Sequence, residues 1–223
     1  MLFMDCHMCI KKKKSKVILF FIVVFALIGL FCINDLCILV FKADNACNVI
    51  GIIDDDVSEI VARGMEYTGN YNNCESHGEK LIKYLKCKGY NGKIYYYSAQ
   101  TNDGIIDSDS VIQGLEYLKE LGVNRINLSF SSKYYSKELD DWLKKNSQIR
   151  VFCSYNNLEN SYDYPAMYKL TIASGMSDRV NYKSCDKKYK NNRIIVIDKG
   201  IYFFKGNSFL SIETLLSMEE DDL

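Results

Sequence analysis

The sequence predicts an α/β fold of three layers, a mostly parallel sheet with helices on both faces, preceded by one transmembrane helix. Two observations lead to this prediction. From residue 49 onward, short runs of β-branched and aromatic residues alternate with amphipathic, helix-like segments. Before them, a long apolar run follows directly on a lysine cluster. The single proline in the chain argues against a Pro-rich linker or a disordered region.

The first part of the chain has the pattern of a membrane anchor. A basic head, residues 1–16, precedes an apolar segment, residues 17–41, that is long enough to cross about 30 Å of hydrocarbon as a helix. Lysine clusters stay on the cytoplasmic side, so we expect a single-pass membrane protein with a cytoplasmic N-terminus and its domain outside. The alternative is a cleaved signal peptide and a secreted domain. The apolar run is long for a signal peptide, and no clean small-x-small cleavage site follows it.

Seven strand-like segments are predicted after the anchor. Each is a short run rich in Val, Ile, Tyr or Phe. The last two flank Asp198-Lys199-Gly200, which is typical of a β-hairpin turn. The predicted strands span residues 49–53, 93–99, 125–130, 149–154, 169–174, 193–197 and 201–204.

Four helices are predicted between and after these strands. The first covers residues 77–86, Asp107 or Ser108 caps the second, Ser136 caps the third, and Ser208 opens the last. Gly122 is the stop signal of the second helix. The apolar faces of the four are formed by Leu81, Ile82 and Leu85; by Val111, Ile112, Leu115, Leu118 and Leu121; by Leu139, Trp142 and Leu143; and by Phe209, Ile212, Leu215 and Leu216.

Charge and cysteine content narrow the range of partners and cofactors. Lys+Arg and Asp+Glu number 28 each, so no basic excess predicts a nucleic-acid partner. Residues 219–223 form a short acidic tail that we expect to be solvated. The segment Cys6-His7-Met8-Cys9 supplies only half of a zinc-ligand pattern, because no second pair lies nearby. No metal and no other cofactor is expected.

Three residues, in the order Asp54, His77, Ser208, predict nucleophilic catalysis. A serine nucleophile needs a base to accept its proton, and the base needs a carboxylate to hold its tautomer. Asp54 ends a strand-like run, while His77 and Ser208 begin helices, and all three positions face the crevice of a parallel sheet. The chain has two histidines. If the apolar segment crosses a membrane, His7 lies on the other side and His77 is the imidazole left to the domain.

Each of these residues also has an ordinary structural interpretation. Asp54 heads three consecutive aspartates, which also suit a solvated acidic loop after a strand or a divalent-cation site. His77 and Ser208 can be surface or helix-start residues without a catalytic role. Asn156 follows a strand, so its amide and the backbone N–H of Ser208 are candidate donors to an oxyanion. Asn156-Asn157 is also ordinary turn composition.

The residues just described resemble those of the subtilisin-like serine proteases. The resemblance runs from about residue 49 to residue 216 and consists of short motifs in the family's order. The chain departs from the family at several motif positions, among them Glu79 after Ser76-His77-Gly78, Tyr155 before Asn156, and Asn207 before Ser208. The motifs that match lie at residues 50–54, 76–78, 111–117, 126–129, 151–156, 164–168, 170–175 and 206–209.

The resemblance implies a catalytic domain over residues 47–218 that hydrolyses peptide bonds of a peptide or protein substrate through an acyl-enzyme. Asp54, His77 and Ser208 would form the triad, and Asn156 would donate to the oxyanion. The family's substrate-binding strand corresponds to Ser129, Phe130 and Ser131.

Two other functions remain open at this stage. The motif departures suggest a catalytically inactive relative that binds a peptide or protein partner, whereas the retained triad residues argue against it. The third possibility is an unrelated membrane-tethered α/β domain, in which the three triad residues would lie far apart.

Overall fold

The computed structural model describes residues 48–157, 163–176, 193–197 and 206–218, together with Val23. The chain divides into two compact units, Met1–Leu39 and Val40–Leu223, and the described residues other than Val23 lie in the second. The predicted basic head, the acidic tail and, apart from Val23, the predicted transmembrane segment lie outside the described residues. Among the helices within the described ranges, none combines the length and the apolar character needed to span a membrane.

The described strands form one seven-stranded sheet in the order β2-β3-β1-β4-β5-β6-β7, and every neighbouring pair in it is parallel. This confirms the predicted parallel sheet. The pairing is in register, so the carboxyl ends of β1, β4 and β5 meet at one edge. The strands are β1 (Val49–Asp54), β2 (Glu66–Thr68), β3 (Lys93–Ser98), β4 (Arg125–Leu128), β5 (Arg150–Ser154), β6 (Thr171–Met176) and β7 (Arg193–Ile197).

Helices lie between the strands and after β7, and three of the five described helices begin at side-chain caps. Asp107 and Ser110 form a reciprocal capping box at one helix start, and Ser136 accepts the Leu139 N–H at another. The described helices are α1 (Glu59–Ala62), α2 (His77–Cys87), α3 (Ser108–Glu120), α4 (Lys137–Lys145) and α5 (Asn207–Ser217).

The sheet has an apolar cluster on each face, which confirms that helices cover both sides. Side chains alternate along β1, so Ile50 and Ile52 pack on one face and Ile53 on the other. Buried residues of α2 and α5 complete the first cluster, and those of α3 and α4 complete the second. The two helices that carry His77 and Ser208 therefore share one face of the sheet.

The structure differs from the sequence prediction in two short elements and, by two residues, in the bounds of two strands. Helix α1 and strand β2 were not predicted, because four and three residues are too few to show a helical or alternating pattern. The strand predicted at residues 169–174 begins and ends two residues later, at Thr171 and Met176, and the strand predicted at 125–130 ends two residues earlier, at Leu128. Of the predicted hairpin, residues 193–197 form β7 parallel to β6, and its second strand at 201–204 lies outside the described residues.

Candidate active site

Asp54 is the last residue of β1 and is 1% exposed. The fully buried run from Ile50 to Ile53 places it at the carboxyl edge of the sheet, where parallel strands present functional side chains. Its Oδ1 accepts the N–H of Asp55 at 2.9 Å. The main-chain carbonyl of Asp54 accepts the N–H of Ala99 at 2.9 Å, which fixes the strand end against β3.

His77 is the first residue of α2, after the N-cap Ser76, whose hydroxyl accepts the N–H of Glu79 at 3.2 Å. The carboxylate of Asp55 also caps this helix: Oδ2 accepts the N–H of His77 at 3.0 Å and Oδ1 accepts that of Gly78 at 2.8 Å. These contacts hold the start of α2 against the end of β1. The His77 side chain is 38% exposed, so it forms part of the wall of an open cleft.

The structure brings Asp54, His77 and Ser208 together in a hydrogen-bonded chain. His77 Nδ1 lies 3.0 Å from both carboxylate oxygens of Asp54, and His77 Nε2 lies 3.0 Å from Ser208 Oγ. A proton on Nδ1 leaves Nε2 as an acceptor directed at the serine hydroxyl. This is the spatial arrangement of a nucleophile, a base and an orienting carboxylate.

Ser208 lies in the first turn of α5 and is 6% exposed. The N-cap of this helix is Gly206, whose φ of +144° is accessible to few residues other than glycine. The Ser208 hydroxyl is 3.0 Å from His77 Nε2 and 3.2 Å from the main-chain oxygen of Ser129. The hydroxyl therefore lies between α2 and the segment that follows β4.

A buried polar network lies beneath Ser208. Ser129 Oγ donates to Asn127 Oδ1 at 2.6 Å and lies 2.7 Å from Ser211 Oγ. Asn127 Nδ2 donates to Ser211 Oγ at 2.8 Å, and the Ser211 hydroxyl is 2.8 Å from the main-chain oxygen of Ser208. All four residues are buried. The network joins the first turn of α5 to the end of β4, which limits movement of Ser208.

Asp54 and His77 shift each other's pKa. Burial raises the pKa of Asp54 above its ordinary value, while the hydrogen bond and positive charge of His77 act in the opposite direction. Burial lowers the pKa of His77, but the hydrogen bond and the negative charge of Asp54 more than offset this, so its pKa is raised. The raised pKa makes His77 a stronger base than a free imidazole.

Asn156, the predicted oxyanion donor, lies beside the other site residues and lines the same cavity as His77 and Ser208. Its side-chain nitrogen donates to the carboxylate of Asp163 at 2.6 Å. Its main-chain oxygen accepts from Asn207 Nδ2 at 2.9 Å. Asn157 Oδ1 accepts the N–H of Asn207 at 2.8 Å, so two hydrogen bonds join this loop to the start of α5.

Ser129, Phe130 and Ser131, predicted to bind substrate, also lie in the cleft. They line a cavity of about 270 Å³ that contains Asp54, His77 and Ser208. Phe130 and Ser131 also line an adjoining cavity of about 700 Å³ with aromatic walls that include Tyr134, Tyr164 and Tyr168. Ser208 therefore lies in a small cavity that adjoins a larger one with aromatic walls.

Sequence reasoning missed three residues of this site: Asp55, Asn127 and Ser211. Asp55 was only one of three consecutive aspartates, and nothing in the sequence separates a capping carboxylate from a solvated one. Ser211 follows Ser208 by three residues, one helical turn, and that spacing is a signal that sequence reasoning can use.

Over the described ranges, the structure has no group of three or more His, Cys, Asp or Glu side chains arranged to hold a metal ion.

No protein-family model matches the chain, and no curated protein sequence does. Several solved structures, however, match the chain. The protease domain of PatA, in its self-cleaved form, aligns with a TM-score of 0.53 at 16% identity, covering 77% of each chain. The prenylagaramide maturation protease PagA aligns with a TM-score of 0.52 at 12% identity, covering 76% of this chain and 72% of that one.

A psychrophilic subtilisin-like protease, Apa1 from the Antarctic psychrotroph Pseudoalteromonas sp. AS-11, aligns with a TM-score of 0.50 at 16% identity. The alignment covers 63% of this chain and 38% of the length of Apa1. At these identities the likeness concerns the backbone. The chain has a parallel-sheet α/β fold that resembles that of protease domains, including subtilisin-like ones.

Proposed function

We propose that this protein is a serine endopeptidase that hydrolyses peptide bonds through an acyl-enzyme. The observation that carries the proposal is the continuous hydrogen-bonded chain from Asp54 through His77 to Ser208, with 3.0 Å at each contact. The resemblance of the fold to protease domains supports the same conclusion, as do the cavity that Ser208 lines and the larger cavity that adjoins it.

The proposed reaction begins at Ser208. Its oxygen attacks the carbonyl carbon of the substrate while His77 Nε2 accepts its proton, and Asp54 stabilises the imidazolium that forms. His77 then donates this proton to the leaving amine as the C–N bond breaks, leaving an ester on Ser208. Water attacks the ester in the second half, with His77 again accepting a proton, and Ser208 is regenerated.

Negative charge develops on the substrate oxygen in each half of the reaction. We assign its stabilisation to the side-chain amide of Asn156 and the main-chain N–H of Ser208. The second donor gains from its place at the N-terminus of α5, where the helix dipole favours negative charge. Asn156 already donates to Asp163, and the loop that carries it is tied to Asn207, so the amide is held in place rather than free to rotate.

The proposal includes a location. Residues 17–41 would hold the protein in a membrane by one helix, with residues 47–218 outside the cytoplasm. Alkaline carbonate extraction of membranes from expressing cells tests this. The full-length chain should stay with the membrane fraction, and its release into the supernatant would contradict an anchor.

A fluorophosphonate probe tests the enzymatic proposal. Such a probe forms a covalent O–P bond with an activated serine and releases fluoride. We expect full-length wild-type protein to be labelled and the Ser208→Ala and His77→Ala variants not to be. Ser208→Ala should also abolish peptide hydrolysis while the circular dichroism spectrum is unchanged. Absence of labelling in folded wild-type protein would overturn the proposal and favour an inactive protein that binds peptides.

A further inference from the structure

Asp55 follows the triad aspartate directly, yet its carboxylate is used differently. Its two oxygens accept the N–H groups of His77 and Gly78, at 3.0 and 2.8 Å. These are the first two residues of α2, and N–H groups in a first helical turn have no partner within the helix. A carboxylate at a helix N-terminus also interacts favourably with the helix dipole.

The main chain of Asp55 is fixed from the opposite direction. Its carbonyl oxygen accepts the hydroxyl of Tyr96 at 2.7 Å, and Tyr96 is fully buried in β3. A Cβ added at Gly78 would lie 1.8 Å from this same hydroxyl oxygen and 3.1 Å from Asp55 Oδ1. The start of α2 therefore lies so close to the Tyr96 side chain of β3 that a Cβ does not fit at Gly78, and Asp55 contacts both.

We propose that Asp55 is a positioning residue for His77, joining the start of α2 to the end of β1 so that the imidazole reaches Asp54 and Ser208 at once. Asp54 and Asp55 are consecutive residues, so the two carboxylates that contact His77 leave the same short stretch of main chain. Asp54 holds the ring of His77 while Asp55 holds its main chain. The consequence for catalysis rests on the proposed peptidase function, whereas the contact itself does not.

The charge of Asp55 gives the proposal a signature that packing alone lacks. The charged groups that act on His77 are Asp54 and Asp55 at the end of β1, which raise its pKa, and Lys80 on its own helix, which lowers it. Ser208 on α5 faces Nε2 as a neutral hydroxyl. Replacing Asp55 by a neutral residue should lower the pKa of His77 as well as loosen its position.

The test compares Asp55→Asn with a matched control, Asp56→Asn. Both replace one aspartate of the same loop by its neutral isostere, but the Asp56 carboxylate accepts the hydroxyl of Ser98 rather than the start of α2. The first measurement is an NMR titration of imidazole signals in the full-length protein. The chain has two histidines, so a His7→Gln variant assigns the signal of His77.

We expect Asp55→Asn to lower the pKa of His77 relative to wild type and Asp56→Asn to leave it near the wild-type value. An unchanged pKa in Asp55→Asn, or an equal shift in both variants, would overturn the proposal. If Asp55→Asn does not fold, Asp55→Ser keeps a short capping oxygen without the charge, and the same pKa comparison applies to it.

The second measurement is the rate of fluorophosphonate labelling at a pH where His77 is neutral. We expect Asp55→Asn to be labelled about 10- to 100-fold more slowly than wild type, since small misplacements of a catalytic group have effects of this size. Labelling of Asp55→Asn at the wild-type rate overturns the positioning role and leaves the peptidase proposal intact. A wild type that is not labelled but whose His77 pKa falls in Asp55→Asn overturns the peptidase proposal and supports the positioning role.

Discussion

His77 and Asp54 meet in a symmetrical contact, in which the imidazole Nδ1 lies 3.0 Å from each carboxylate oxygen. Asp54 is almost fully buried, whereas the far side of the imidazole reaches the cleft. The carboxylate, which also accepts the N–H of Asp55, therefore holds the imidazole in one tautomer, with Nε2 free of a proton and turned to Ser208. Several properties of the protein follow from this pair.

The first property that follows from this pair is the pH dependence of activity. Burial lowers the pKa of His77, and the hydrogen bond and charge of Asp54 raise it further than that, so it lies above the ordinary value of about 6.5. A general base must be neutral, so kcat/KM should rise with pH along a limb centred above 6.5. By linkage, protonated His77 stabilises the fold below about 6.5, and this stabilisation is lost as pH rises through the folded pKa. A limb centred below 6.5 would contradict the expectation.

The Asp54→Asn substitution should separate geometry from charge. The amide fills the same volume, but it removes the negative charge and can hold His77 in the wrong tautomer. In another serine protease the equivalent change lowers kcat by about 10⁴, and we expect a loss of that order here. The acidic limb of the pH profile should also move to lower pH. A loss smaller than about tenfold, in a variant with wild-type unfolding behaviour, would refute the assigned role.

Much of the fold follows from the sequence because its main elements have clear patterns. The run before Asp54 is continuously apolar and is buried on both faces, as a central parallel strand should be. Asp107 and Ser136 are side-chain caps at the predicted helix starts. Parallel strands then gather their carboxyl ends at one edge, which is why residues as far apart as Asp54 and Ser208 can be expected to meet.

The sequence does not predict which hydrogen-bond partner each of several like side chains contacts. Asp54, Asp55 and Asp56 are identical in type, yet in the structure they bind His77, the start of α2 and Ser98 respectively. Their roles depend on which way each side chain leaves the strand end. The spacing of Ser208 and Ser211 places both on one face of α5, but their contacts with Asn127 and Ser129 depend on the packing of α5 against β4, which no local pattern predicts.

Gly78→Ala should destabilise the protein although alanine is the better helix former. The new Cβ would lie 1.8 Å from the hydroxyl oxygen of buried Tyr96, and overpacking of this kind costs about 1–3 kcal/mol. Gly64→Ala is the matched control, because the nearest atom to its Cβ, Lys86 Nζ, is at an ordinary 3.4 Å. Urea unfolding measures both. Adding Tyr96→Phe to Gly78→Ala removes the clashing oxygen and should recover part of the lost free energy of unfolding. Equal stability of Gly78→Ala and wild type would refute the clash.

Asn156→Ala tests the assigned oxyanion donor. Loss of one such donor lowers kcat by about 10²–10³ while KM changes little, because the contact forms mainly in the transition state. We expect this pattern in steady-state hydrolysis of a peptide substrate. A rise in KM at constant kcat would instead assign Asn156 to substrate binding. Asp163→Asn serves as the companion variant, since it alters the partner of the Asn156 amide and leaves the amide present.

A largely buried ion pair joins the two helices that carry His77 and Ser208. Glu213 on α5 pairs with Lys88, which directly follows α2, and also accepts the hydroxyl of Tyr84 on α2. The side chains of Lys88 and Glu213 are 8% and 17% exposed, so a partner left alone would be a charge largely removed from water. Removing one member of such a pair costs about 3–5 kcal/mol, whereas replacing both by apolar groups costs much less.

Glu213→Ala should therefore lower the free energy of unfolding by about 3 kcal/mol, and adding Lys88→Met should restore a large part of it. The exposed pair Lys83–Glu75, with both side chains more than 40% exposed, is the control. Its loss in Glu75→Ala should cost less than about 1 kcal/mol. If urea unfolding gives additive effects for Glu213→Ala and Lys88→Met, the pair is not coupled. A large coupling energy would confirm that Lys88 and Glu213 stabilise the fold as a pair. Slower fluorophosphonate labelling of Glu213→Ala would show that the pair also contributes to the alignment of His77 with Ser208.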